Sequence, residues 1–238
     1  MLIIEKNAVY EVDCECLQKK RGRYANLTCE ERQIEKEQII VPTGGVCKES
    51  LSYTGKGVTV AILDTGLYPH PDFKDRILSF RDFSSTTGSS EKVLFSFSHF
   101  SPLIDNSGHG THVAGILAGS GLLSSGTYAG IAPFCNLIIG KVLDQNGNGS
   151  IKNVINGIQW IRDIYTQFHI RIINISVGTR PDLSIHQKLL LLNAVESLWD
   201  LGLVVVVSAG NYGPAPGSVT VPGSSPKVIT VGVPDTFP

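Results

Sequence analysis

The chain has 238 residues, of which 42% are hydrophobic and 17% charged, and its formal net charge is -1. That length allows one large core or at most two small domains, and the composition is that of an ordinary globular protein. A charge so near zero gives no electrostatic reason to expect a nucleic acid or a membrane surface as partner, and no run approaches the ~18 apolar residues of a membrane span.

The chain opens on Met1-Leu2-Ile3-Ile4 and turns charged at Glu5 and Lys6. That apolar run is too short for the roughly 7–15 residues of a secretory signal core. The expected location is therefore cytoplasmic, with secretion by a route not visible in the sequence as the alternative. The cysteines are Cys14, Cys16, Cys29, Cys47 and Cys135; an odd number in a chain with no evident leader argues for reduced thiols. Cys14 and Cys16 do not have the C-x-x-C spacing of a zinc or redox motif. Residues 1–50 are rich in Glu, Lys and Arg and read as a charged extension, with a short charged helix expected over Glu30 to Gln38. Pro42-Thr43-Gly44-Gly45 breaks any element there. The main domain is expected over residues 51–238.

From Gly57 onward, short apolar runs alternate with helical patterns. Val58 to Leu63, Asn136 to Leu143, Arg171 to Val177, Leu203 to Ala209 and Val228 to Gly232 are near-continuously apolar, as strands of a parallel sheet covered on both faces are. Between them, Ile151, Val154, Ile155, Ile158 and Ile161 recur at helical spacing behind Ser150, a natural N-cap. Ile185 to Leu201 reads as a second helix stopped by Gly202. Strand–helix–strand units of this kind predict an α/β protein, doubly wound around a mainly parallel sheet. Sites in such sheets form at the carboxyl ends of the strands, so the residues there decide the chemistry.

The first strand runs into Asp64-Thr65-Gly66. Taken alone, an aspartate before Thr-Gly is as well explained as a turn former. The next signal is Asp105-Asn106-Ser107-Gly108-His109-Gly110-Thr111-His112-Val113-Ala114-Gly115, small residues around a histidine at the start of a helix. Two histidines three apart also suit an ordinary helix start or a zinc pair, but no third ligand stands beside them on that helix. The third signal, Ser208-Ala209-Gly210-Asn211-Tyr212-Gly213, follows the Leu203 to Val207 run. Asn211 could cap a turn there, or present its amide to a site.

In this order, D-T-G after a strand, G-H-G-T-H-V-A-G opening a helix and A-G-N after a later strand closely resemble the subtilase family, from about Gly55 to Val233. The resemblance implies a subtilisin-type sheet and a serine endopeptidase acting through an Asp-His-Ser triad. Asp64 matches the triad aspartate, His109 the general base and Asn211 the oxyanion-hole donor; His112 matches a structural histidine. Gly147, Asn148 and Gly149 resemble one wall of a groove for an extended peptide, and Ser176, Val177 and Gly178 the opposite wall. Ser208, Ala209 and Gly210 would line the pocket for the side chain before the cleaved bond, with Gly210 leaving room for a large apolar group and hence broad specificity. Val221-Pro222 matches a segment with a cis proline. The implied partners are an extended peptide or unfolded protein, with no nucleic acid and no membrane.

The sequence departs from the family pattern in one respect that matters. The nucleophilic serine of the family lies in a G-T-S-M-A motif, and the 238 residues contain no Gly-Thr-Ser. Ser218, Ser224 and Ser225 lie in a proline-rich stretch and precede no helix. The expected fold is therefore C-terminally incomplete, with the missing C-terminal part of the peptidase domain as an implied partner, and the chain alone is expected to be inactive. The alternative reading is a catalytically dead, peptide-binding homologue. No cofactor is required. Asp72, in His70-Pro71-Asp72, resembles a structural calcium ligand of some subtilases, although Ala118 to Ala129 lacks the asparagine-rich partner loop. The Ser-rich stretch from Asp82 to Asp105 reads as a surface insertion. A nucleotide-binding protein is the weakest reading, for there is no G-x-x-x-x-G-K-[ST] loop.

Overall fold

The structure is a computed structural model; it describes residues 53–84, 105–180 and 182–232, and the backbone of residues 2–5, 8–11 and 39–40. The expected helix over Glu30 to Gln38 and most of the Ser-rich stretch lie outside the described residues. Within the extension the described backbone forms strands, which its composition did not suggest. β1 (Leu2–Glu5) pairs antiparallel with β2 (Ala8–Glu11) and with β3 (Ile39–Ile40).

The second sheet carries the main domain. Its strands are β4 (Thr59–Asp64), β5 (Ile77–Asp82), β6 (Asn136–Lys141), β7 (Ile170–Ile175), β8 (Val204–Ser208) and β9 (Ile229–Val231). They stand in the order β5-β6-β4-β7-β8-β9, every neighbouring pair parallel. The apolar runs thus become strands where expected, with ends shifted by a residue or two. One shift matters: β4 extends to Asp64, which pairs with Lys141 of β6, so the aspartate is the last strand residue rather than the first loop residue.

Alternation along β4 divides the core in two. Ala61 and Leu63 pack with Val154, Ile158 and Ile161 of α2 (Ile151–Ile164) and with Leu191, Val195 and Leu198 of α3 (Ile185–Asp200). Val60 and Ile62 pack on the other face with Val113, Ala114 and Ala118 of α1 (His109–Ala118). A period of two sends Asp64 to the α1 face with Val60 and Ile62. The crossover after β5 covers one face, and those after β6 and β7 cover the other. The crevice of this doubly wound sheet therefore opens around the carboxyl end of β4.

Local signals set the helix ends. Ser150 accepts a hydrogen bond from Asn153 N–H at 3.1 Å and starts α2. Trp160 and Ile164 join its buried stripe, while Ile155 is only half buried. Ser184 and Gln187 form a reciprocal capping box at the head of α3, and Gly202, at φ +81°, ends it in the left-handed conformation. Val221–Pro222 is cis, as its sequence context suggested, and Gly213–Pro214 is cis as well.

Candidate active site

The Asp64 side chain is fully buried, and its Oδ1 lies 2.8 Å from His109 Nδ1, a residue 45 positions later in the chain. The same oxygen accepts Thr65 N–H at 2.6 Å. An ionised carboxylate can only accept, so the contact places a proton on Nδ1 and leaves the lone pair of a neutral imidazole on Nε2. His109 is the first residue of α1 and its side chain is 35% exposed, so the ring reaches from a buried anchor toward solvent.

What brings the pair together is a set of short-range devices at the β4–α1 junction. Gly110 packs so tightly on the end of β4 that a Cβ there would lie 2.3 Å from Gly66 O and 3.1 Å from Asp64 Oδ1. Gly110 N–H donates to Thr65 Oγ1 at 2.9 Å, and the Thr65 hydroxyl donates to Asp105 Oδ1 at 2.9 Å. Asp105 Oδ1 also accepts from Ser107 and Gly108 N–H, and its Oδ2 accepts from Thr111 N–H and the Thr111 hydroxyl. The residue before α1, Gly108, has no side chain to cap with, and Asp105 does this work from three positions upstream. Burial pushes the Asp105 carboxyl up, but the hydrogen bonds from Thr111, Gly108 and Thr65 outweigh it and hold the group below the ordinary carboxylate range.

Asp105 and Thr65 are thus supporting residues to which the sequence analysis gave no role. The available signal was an Asp shortly before an apolar helical run, the usual position of a capping acceptor. Lys141 was missed too. It is 6% exposed, and its ammonium donates to Thr65 O. As the cross-strand partner of Asp64 it stands on the same sheet face. Nothing local in the apolar run Asn136 to Leu143 marks its lysine as more than an interruption.

The remaining predicted residues follow adjacent strands along one edge of the sheet. Gly147, Asn148 and Gly149 lie beyond β6, and all are exposed. Asp144 shapes their turn: its Oδ1 accepts Asn146 and Asn148 N–H, and its N–H donates to Asn148 O. Both backbone polar groups of Asn148 are therefore engaged within the turn. Ser176, Val177 and Gly178 follow β7, with Ser176 Oγ accepting Asn174 Nδ2 at 2.8 Å. Ser208 ends β8, Ala209 and Gly210 follow it, and Asn211 is exposed just beyond. The strand order places β6, β4, β7 and β8 side by side, so these segments share one edge with Asp64.

Gly210 leaves no empty space where its side chain would stand: a Cβ there would lie 2.4 Å from Thr220 Oγ1, and the residue sits at φ +91°. At Asp72, the expected calcium ligand, Oδ2 accepts Gly121 N–H at 3.0 Å and Oδ1 accepts Leu123 N–H at 3.3 Å, so the carboxylate holds a turn. Among the described residues no group of three or more His, Cys, Asp or Glu side chains is placed to hold a metal ion. His112 is exposed on α1. Among the described residues no helix is long and apolar enough to cross a membrane.

Together these features define a doubly wound α/β protein with a carboxylate–imidazole pair at the carboxyl edge of a parallel sheet. The subtilase family model matches residues 55–236. The chain is 43% identical over 195 residues to the serine protease AprX of Bacillus subtilis (strain 168), covering 80% of this chain and 41% of that protein. It is 36% identical over 183 residues to the major intracellular serine protease of the same organism, covering 75% of this chain and 51% of that protein. Among solved structures, Sphericase superposes with a TM-score of 0.63 at 30% identity, over 74% of this chain and 53% of that one. The chain belongs to the subtilase family of serine proteases. It spans about half, or less, of the length of these relatives.

Proposed function

We propose that this chain supplies the aspartate, the histidine and the oxyanion donor of a serine endopeptidase. The observation that carries the reading is the 2.8 Å contact between Asp64 Oδ1 and His109 Nδ1 at the edge of the sheet where substrates of such folds bind. Asp64 holds the imidazole in the tautomer with Nδ1 protonated and stabilises the imidazolium that forms during the reaction. Through Nε2, His109 takes the proton of an attacking serine and returns it to the leaving amine. The Asn211 side-chain amide donates to the oxyanion. An extended peptide or unfolded segment lies between Gly147–Gly149 and Ser176–Gly178, adding as a strand, and its P1 side chain, the one before the cleaved bond, enters beside Ser208, Ala209 and Gly210.

The nucleophile is not among these 238 residues in the family's motif. The chain by itself therefore hydrolyses no peptide, and a serine-bearing segment completes the site. Residues 51–238 make up the peptidase part and residues 1–50 an extension to it.

The test is complementation. The C-terminal third of a close relative, carrying the serine, is supplied in trans or fused, and hydrolysis of a chromogenic peptide and labelling by a fluorophosphonate are followed. The chain alone should show neither, and the completed protein both. A completed, folded protein that cleaves no peptide would overturn the protease reading, and peptide binding without turnover would favour the dead homologue.

A further inference from the structure

Three asparagines in the chain precede a glycine, in Asn146-Gly147, Asn148-Gly149 and Asn156-Gly157. This dipeptide is prone to lose the asparagine amide spontaneously, because the glycine's main-chain nitrogen can reach the asparagine Cγ with no Cβ in the way. The local sequence makes the three pairs equivalent. The fold makes them unequal.

Asn156 and Gly157 lie within α2. Gly157 N–H belongs to the helix ladder, and the residue is buried, a Cβ on it falling 2.9 Å from Val142 Cγ1. Its nitrogen is not free to turn toward Asn156. Asn146 and Gly147 are exposed, but Gly147 N–H donates to Asp144 O at 3.1 Å, so the attacking nitrogen is held. Asn148 and Gly149 are exposed as well. Neither Gly149 N–H nor the Asn148 side chain makes a hydrogen bond among the described residues. The carbonyl of the same peptide unit, Asn148 O, accepts Asp144 N–H at 2.8 Å. A hydrogen bond to that carbonyl polarises the peptide group and makes the N–H on its other side more acidic. The turn also fixes the glycine, for a Cβ at Gly149 would lie 2.6 Å from Val142 O.

We infer that Asn148 is a site of spontaneous modification, at which the Gly149 nitrogen displaces the side-chain amide. Gly149 N gives up its proton to solvent and bonds to Asn148 Cγ. The Cγ–N bond of the amide breaks, and the nitrogen takes up a proton and leaves as ammonia. Water then opens the cyclic imide at either of its carbonyls, giving aspartate or isoaspartate. Each product carries a new carboxylate on the turn organised by Asp144, whose Oδ1 accepts Asn148 N–H at 2.9 Å. Isoaspartate also adds a carbon to the main chain and so breaks the pairing of residue 148 with Asp144. One consequence rests on the groove reading above: the wall at Gly147–Gly149 passes from neutral to anionic, which favours a basic over an acidic peptide residue beside it.

The experiment follows mass. The 238-residue chain is aged in mildly alkaline buffer, folded and in urea, then digested and mapped by mass spectrometry, with isoaspartate scored by an isoaspartyl methyltransferase. In urea all three asparagines should react. In the folded chain Asn148 should react first, and Asn146 roughly two- to tenfold more slowly, the factor set by the main-chain hydrogen bond that must open. Asn156 should stay intact, and Asn148→Ser should remove the early product. If Asn146 or Asn156 keeps pace with Asn148 in the folded chain, or if Asn148 survives there as long as Asn156, the inference is overturned. The charge consequence is tested separately, by titrating acetylated peptides that differ only in a Lys or a Glu against the parent and Asn148→Asp. The Lys peptide should gain on the Glu peptide by up to about fivefold in the variant. An unchanged ratio overturns the charge consequence, and failure of both peptides to bind the folded parent overturns the groove reading; neither result alters what the mass spectra decide.

Discussion

Asp105 caps the helix that carries His109, and its removal should loosen the junction that aligns His109 with Asp64. In Asp105→Ala, α1 loses the carboxylate that accepts N–H groups of Ser107, Gly108 and Thr111, and the hydroxyls of Thr65 and Thr111 lose their acceptor. Loss of a helix-capping side chain costs about 0.5–2 kcal/mol. Thr65 is 1% exposed, so its abandoned hydroxyl adds about 1–3 kcal/mol. Ser107 and Gly108 are exposed and their N–H groups can turn to water, adding little. The sum is about 3 kcal/mol, which for a chain of this length lowers Tm by roughly 6–12 °C. Asp105→Asn keeps one carbonyl acceptor and should lose about half as much. Thermal and urea melts followed by circular dichroism give both numbers, and a shift below about 1 °C for the alanine variant would refute this account of the junction. Acid sharpens the test. Because the folded-state pKa of Asp105 is depressed, its contribution is fully present above the unfolded-state value and is lost as pH falls through the folded one. The alanine variant should lack that part of the acid limb.

Gly110→Ala should destabilise by about 3 kcal/mol or more, because the new methyl meets backbone at Gly66 and the Asp64 carboxylate rather than a flexible side chain; a melt within experimental error of the parent would count against the packing described. His109→Ala should lower the turnover of the serine-completed protein about 10⁶-fold in a chromogenic peptide assay, and a loss below about tenfold would count against its role as the base. In a variant with the other cysteines changed to serine, Cys135 should resist Ellman's reagent at pH 8 until the chain unfolds, because it is fully buried and burial pushes its thiol up to about 11. The same shift has a stability consequence: above the ordinary thiol value the unfolded chain loses its proton first, so urea melts should weaken as pH rises toward 11 in the Cys135 form and not in Cys135→Ala.

Much of the fold was readable because it is locally encoded. Apolar runs a few residues long, a serine before a helical stripe and Gly202 after another are patterns whose causes act within one or two turns of chain. Asp64, His109 and Asn211 were legible as motifs for the same reason, each on a strand end or helix start with small residues around it. The extension shows the limit of that reading, for its charged composition gave no sign of β1–β3.

The sequence by itself determined the alternating strands and helices, where most of them begin and end, and which residue types reach the sheet's carboxyl edge. Tertiary structure alone decided that β4 lies between β6 and β7, that Asp64 lies on the α1 side of the sheet, and that Asp105 is joined to Thr65 at the end of β4. It also decided that Lys141 is buried as the cross-strand partner of Asp64, and that Thr220 Oγ1 stands against Gly210. The physical reason is separation along the chain. Lys141 bonds Thr65 across 76 positions and His109 meets Asp64 across 45, and contacts of that range depend on strand order and on which face each side chain takes, which no local pattern records.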